Sequence, residues 1–203
     1  MPILNPGKRE VAGFSLQELM IAVAIGLVLT ASGIPVMNNA IANMRLRSSM
    51  STVSGLLQNC RTLAVQSNKI KTARHFNRTT APNALVYYIK TASDLSAFST
   101  SDPQVEMEAP ITPWPDDTSS GTAPPSTVSS TVLGFSSPRT DDPSFNPQGI
   151  PCYYSGGTCA TNTGFIRYFK DNRISGSGGW AAISITPAGR VKRWFWTGST
   201  WTD

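Results

Sequence analysis

The sequence predicts an α+β fold in which a long N-terminal α-helix packs its second, amphipathic half on a mainly antiparallel β-sheet. Three observations carry that prediction. Phe14 to Met37 is a run of 24 residues whose only full charge is Glu18. Apolar residues then recur three or four apart as far as Ala64, the period of one helix face. Near the C-terminus, three short runs separated by turn residues alternate with a period close to two, as half-buried strands do.

Bulk composition bounds the architecture. A chain of 203 residues has room for one domain with an appendage. With 40% hydrophobic and 14% charged residues, it is neither disordered throughout nor a multi-span membrane protein.

The first half of the predicted helix reads as a membrane segment. At about 1.5 Å per residue, Phe14 to Met37 is long enough to cross a hydrocarbon core of roughly 30 Å. Lys8 and Arg9 supply a basic flank, as in a secretory signal peptide, but the helical pattern continues where a signal peptide would be cut. Glu18 is the anomaly, since a carboxylate within a spanning helix costs about 2.5 to 3.5 kcal/mol and therefore calls for a partner or a task.

Past Pro35 the period persists while the polarity changes. Ile41, Met44, Leu46, Met50, Val53, Leu57, Cys60 and Ala64 form one apolar stripe, so residues 38–68 are expected to be the amphipathic half of one element ending near Ser67 or Asn68. Gly26, Gly33 and Pro35 mark where a kink is expected between the halves. The stripe reads as a core face against a sheet, with Cys60 a buried, inert thiol.

Residues 69–203 are predicted to be a β-rich head. ALVYYIK (Ala84 to Lys90) reads as its first strand, and the Lys- and Arg-rich KIKTARHFNR before it as a solvated loop. Residues 93–148 have the Ser, Thr, Pro and Asp content of long loops. That segment is expected to be the most mobile, with short strands near Gln104 to Met107 and Thr131 to Phe135. GFIRYF (Gly164 to Phe169), WAAISIT (Trp180 to Thr186) and RVKRWFWT (Arg190 to Thr197), joined by tight turns, favour an antiparallel meander.

Charge is distributed in blocks. Asn43 to Ser93 holds eight Lys or Arg and no acid, Asp94 to Asp142 eight acids and one base, and the remainder six bases and two acids. Such blocks either neutralise each other within one domain or act on partners. Cys152 and Cys159 flank a Gly-Gly turn in CYYSGGTC, which reads as a disulfide-closed hairpin in an oxidising compartment. Metal binding is the weaker alternative for two cysteines without a neighbouring His.

Catalysis has little support. The single histidine, His75, is expected at the surface, and no phosphate loop, zinc spacing or nucleophile elbow occurs. No catalytic, cofactor or metal site is expected, and the chain does not read as an enzyme.

K-R-E-V-A-G followed by F-S-L-Q-E-L-M resembles the class III signal of type IV pilins and type II secretion pseudopilins. The resemblance implies a type IV pilin-like fold and a leader, residues 1–13, removed by a prepilin peptidase after Gly13. It implies N-methylation of Phe14 and an assembly role for residues 14–37, with Glu18 guiding subunit docking opposite the new α-amine. Pro35 matches the family's helix-kinking proline. CRTLAVQSN, with Cys60-Arg61, Ala64 and Asn68, and the strand opening at Gly189-Arg190, resemble GspH- and FimT-like minor subunits, although Cys60 departs from the usual Ala.

The implied partners are the prepilin peptidase, other pilin or pseudopilin subunits, an inner-membrane assembly platform and membrane lipid before assembly. The implied location is the inner membrane, single-pass, with the head in the periplasm, and then a pseudopilus or surface pilus. FimT-like proteins add an alternative, DNA capture. In strand alternation Arg190, Lys192, Trp194 and Trp196 share one face, with Val191, Arg193 and Phe195 on the other. Arg190, Lys192, Arg193 and Trp194 are therefore the candidate DNA-binding residues. Burial of Trp194 and Trp196 in a core is the competing reading.

Overall fold

The computed structural model describes residues 15–78, 84–108, 110–115, 123–174 and 176–203, with the side chains of residues 32–36 outside the description. The chain divides into two compact units, Met1–Ala40 and Ile41–Asp203. Helix α1, Leu16–Ser67, contributes to both. Its end is set by Asn68, whose φ of 49° is tolerated by Asn in the left-handed region. The Lys69 N–H donates back to the Ala64 carbonyl at 3.3 Å, closing that end.

In the second unit the helical stripe is buried at Leu46, Met50, Val53, Leu57, Cys60 and Ala64. Spacings of three and four keep these side chains on one face. Ile41 and Met44 were expected on the stripe and are exposed instead. Ala42 rather than Ile41 is the buried position four residues before Leu46, so the face runs one residue off the predicted line at its start.

The helix meets two antiparallel sheets, where the sequence predicts one. The first contains β1 (Lys71–Arg78), β2 (Ala84–Thr91), β3 (Gln104–Met107), β5 (Ser144–Phe145), β6 (Pro151–Ser155) and β7 (Thr158–Ala160), in the order β3-β2-β1-β5-β6-β7. The second contains β4 (Ile111–Trp114), β8 (Phe165–Asp171), β9 (Trp180–Ile185), β10 (Val191–Trp196) and β11 (Trp201–Thr202), in the order β11-β10-β9-β8-β4. The predicted meander is present: β8 to β9 runs from Phe165↔Ile185 to Lys170↔Trp180, and β9 to β10 from Ile185↔Val191 to Ala181↔Phe195. Apolar side chains of α1 and of both sheets, among them Phe145, Phe169, Ala181 and Ile183, form one core.

Two predicted local states are corrected. KIKTARHFNR is not a solvated loop: Lys71 to Arg78 pairs residue for residue with β2. Its Lys71, Arg74 and Arg78 are half-buried, while Thr72 and Ala73 are buried. Thr131 to Phe135 is not a strand. Ser130–Leu133 forms a short helix, α2, with Ser129 accepting from the Val132 N–H and Gly134 closing it in the left-handed conformation. These are the start and stop signals of a helix end.

Within the Pro-rich middle segment, residues 126–135 lie as a cover on the second sheet. Val128, Leu133 and Phe135 lie with Ile166, Tyr168, Trp180, Ala182 and Trp194 in a second apolar cluster on the other face of the second sheet. The Val128 N–H donates to the Tyr168 hydroxyl at 3.0 Å, and the Trp201 indole to the Ser126 carbonyl at 2.9 Å. The first of these satisfies a backbone N–H that burial would otherwise leave unpaired.

The charge blocks pair internally. Arg45 reaches Glu108 at 2.6 Å, Arg78 reaches Glu106 at 2.8 Å, and Lys90 lies 3.5 Å from Asp102. In each case the base comes from the basic block and the acid from the acidic one.

Candidate functional site

Gly13 and Phe14, the predicted cleavage and methylation positions, lie outside the described residues. Description begins at Ser15, and there Ser15 and Glu18 close the helix end on each other. The Ser15 N–H donates to a Glu18 carboxylate oxygen at 2.9 Å, and the Glu18 N–H donates to the Ser15 hydroxyl at 3.2 Å. This reciprocal pair satisfies two of the donors every helix start leaves open. Glu18 therefore has a local structural role besides the assembly role implied by the resemblance. The signal is readable in the sequence as Ser-x-x-Glu ahead of an apolar run.

From Leu16 to Leu29 the large apolar side chains are all exposed. Thr30, the polar exception beyond them, returns its hydroxyl to the carbonyls of Gly26 and Leu27 at 3.0 Å, so it presents no free donor at the helix surface. Pro35 falls within α1, with its side chain outside the description. Among the described residues no helix is long and apolar enough to cross a membrane. The continuous described stretch of apolar side chains stops at Ala31, short of the full run read from sequence.

The four residues of the candidate DNA-binding strand separate. Trp194 is 2% exposed, its indole N–H donating to the buried Ser184 hydroxyl at 2.8 Å. It is a core residue and cannot stack on a base, so of the two sequence readings the buried one holds for Trp194 and its place in the DNA-binding set is corrected. The reason is non-local: Ser184 lies on the neighbouring strand, and the cover comes from residues 128–135. Lys192 sits over the Trp194 ring at 5.0 Å and 3.6 Å from Asp203. Arg190 precedes β10 and is exposed, as is Arg193. Among the described residues neither guanidinium has a carboxylate partner.

Arg47 joins this set, although no strand pattern could point to it. From α1 it places its guanidinium 4.3 Å above the Phe195 ring, a cation–π contact. Arg47, Val191, Lys192, Arg193, Phe195 and Asp203 line one open groove of about 410 Å³. Arg190 does not line it.

Cys152 and Cys159 are joined in a disulfide, their Cα atoms 5.4 Å apart, across the β6–β7 hairpin. Cys60 is a free, fully buried thiol, pushed up to about 12 by loss of solvation. His75 is not at the surface as expected. Its side chain is 7% exposed, with Nδ1 2.8 Å from Asp142, and Arg167 approaches the same carboxylate at 3.4 Å. The three side chains tie β1 to β8 through one carboxylate. Among the described residues no group of three or more His, Cys, Asp or Glu side chains could hold a metal ion.

The site is thus two separate features, an apolar helix surface closed by Ser15 and Glu18, and a cationic groove beside β10. No protein-family model, curated protein or solved structure matches the chain, so both features are interpreted from their own residues.

Proposed function

We propose that this chain is a minor pilin or pseudopilin: a structural subunit of a type II secretion pseudopilus or type IV pilus, processed after Gly13 by a prepilin peptidase and assembled through its N-terminal helix. The observation that carries the reading is GFSLQELM, in which a Gly, an aromatic and an acid stand directly before a long apolar run. The all-exposed apolar side chains from Leu16 to Leu29 support it, because a surface of that kind needs lipid or neighbouring helices to cover it. An amphipathic helix packed on antiparallel sheets is the head such a subunit requires.

In this function the subunit is held in the inner membrane with its head in the periplasm, where the Cys152–Cys159 bond is stable. The assembly platform then transfers it into a filament of other pilin or pseudopilin subunits. Mass spectrometry of the chain produced together with a prepilin peptidase tests the claim. An N-terminus at methylated Phe14 is expected, and a chain left uncut or cut elsewhere overturns it.

The DNA-capture alternative retains only its electrostatic part, because Trp194 is occupied in the core. Arg190, Lys192 and Arg193 would then hold phosphates alone, with strong salt dependence. Unchanged DNA affinity on replacing all three with Gln would reject it.

A further inference from the structure

β10 is only partly covered on its outer edge. β11 pairs with it at Phe195 and Trp196 alone, so the outward-facing backbone groups between Val191 and Trp194 have no strand neighbour among the described residues. The groove lies along this open stretch. Successive residues of a strand point to opposite faces, so a single groove lined by Val191, Lys192 and Arg193 together must run beside the strand rather than over one face of it.

Its walls are cationic. Arg193 and Arg47 contribute guanidinium groups without carboxylate partners among the described residues, and Lys192 an ammonium whose counterion is Asp203 at 3.6 Å. Asp203 shows which chemistry fits here: a carboxylate carried on chain that follows β11 alongside β10. Cationic side chains on an edge protect it against indiscriminate pairing, and the same charges select an acidic strand over an apolar one.

We infer that the open edge of β10 is a docking site for an extended, acidic peptide segment of a partner protein, which adds as a strand beyond β10 in line with β11. Backbone hydrogen bonds to the edge hold the segment, and its carboxylates meet Arg193, Arg47 and Lys192. This is the strand-addition mode of recognition, in which the main chain supplies affinity and alternate side chains supply specificity. The inference is independent of the processing reaction, so the two fail separately.

The test is fluorescence anisotropy on the full chain in detergent micelles, with a labelled hexapeptide of alternating Glu and Val. Binding that weakens with added salt is expected. N-methylation of the peptide's central residues removes main-chain donors without touching the protein, and should weaken binding roughly tenfold or more. Arg193→Gln and Arg47→Gln should each weaken it, whereas Asp203→Asn, which removes the internal competitor, should strengthen it about two- to fivefold. An N-methylated peptide that binds as well as the parent overturns strand addition. So does single-stranded DNA that binds more tightly than the peptide with the same response to the three variants, because the groove would then be a general polyanion site. No binding of the parent peptide at low salt overturns the inference outright.

Discussion

The Arg61 guanidinium, projecting from α1, donates to the Gly189 carbonyl at 3.4 Å and thereby joins the helix to the turn that opens β10. The two stretches resembling GspH- and FimT-like subunits, one around Arg61 and the other at Gly189-Arg190, are thus in contact. Gly189 has φ of 84°, and a Cβ placed there would lie 3.3 Å from the guanidinium. Gly189→Ala should therefore cost about 1 to 2 kcal/mol, from left-handed strain and crowding together. Urea unfolding of the variant measures this. In an Arg61→Ala background the same Gly189→Ala change should cost less, because the strain remains and the crowding by the guanidinium does not.

Trp194 separates a core role from a binding one. Trp194→Ala should destabilise the head by about 3 to 5 kcal/mol, as truncation of a buried aromatic does. Trp194→Phe keeps most of the volume but leaves the Ser184 hydroxyl unpaired, at a cost of about 1 to 3 kcal/mol. Arg193→Gln, at an exposed position, should stay within about 0.5 kcal/mol of the parent. Thermal denaturation of the three variants side by side would reject the core assignment if Trp194→Ala melted with Arg193→Gln.

Cys60 should resist alkylation until the chain unfolds, because the thiolate is the reactive form and burial opposes it. Its pKa rises from the ordinary 9.0 to about 12. A folded value above the unfolded one means that the associated stability is complete below the unfolded pKa and is lost as pH rises towards the folded one. Relative to Cys60→Ala, the parent chain should lose stability between about pH 9 and pH 12. Parallel denaturant titrations across that range would show the gap closing, and a constant gap would contradict the burial argument.

The Cys152–Cys159 bond closes a short loop with a sequence separation of 7. A loop of that size limits the chain-entropy gain to about 2 to 3 kcal/mol. Replacing both cysteines with Ser should lower head stability by about that amount and leave the β8–β9–β10 meander folded. Hydrogen exchange would locate the loss at β6 and β7, and loss of protection throughout the second sheet would argue against a local staple.

Ser15→Ala and Glu18→Ala each remove one arm of the reciprocal cap, with an expected cost of about 1 kcal/mol in the first turn, whereas Glu18→Gln keeps an oxygen that accepts from the Ser15 N–H. Backbone amide exchange at residues 16–19 in micelles would report it. If Glu18 also docks subunits, Glu18→Gln should reduce filament incorporation while Ser15→Ala should not, a distinction that capping alone does not produce.

Elements whose pattern is local were legible. The end of α1, β2, β3 and the meander all follow from spacing within a dozen residues. β1 was not, because Lys71, Arg74 and Arg78 give it the composition of a loop, and its eight pairings with β2 are what make it a strand. The joining of β6 and β7 to the first sheet depends on β5, two residues long, which links β1 to β6 and which no window of sequence reveals. At the candidate sites, Glu18 and the cationic character of residues 190–193 were legible. The burial of Trp194 was legible only as the competing reading, and the convergence of Arg47 not at all, since each depends on a segment distant in the chain.

The cap made by Ser15 and Glu18 also bears on the thermodynamics of any docking through that carboxylate. One of its oxygens already accepts a hydrogen bond at 2.9 Å within the helix, which fixes the carboxylate in place while its second oxygen keeps lone pairs for an incoming amine. A contact made to a carboxylate held at a fixed position can discriminate one stagger of neighbouring helices from another. Cohesion between such helices would rest on the apolar surface from Leu16 to Leu29, whose exposed side chains offer the larger area to bury.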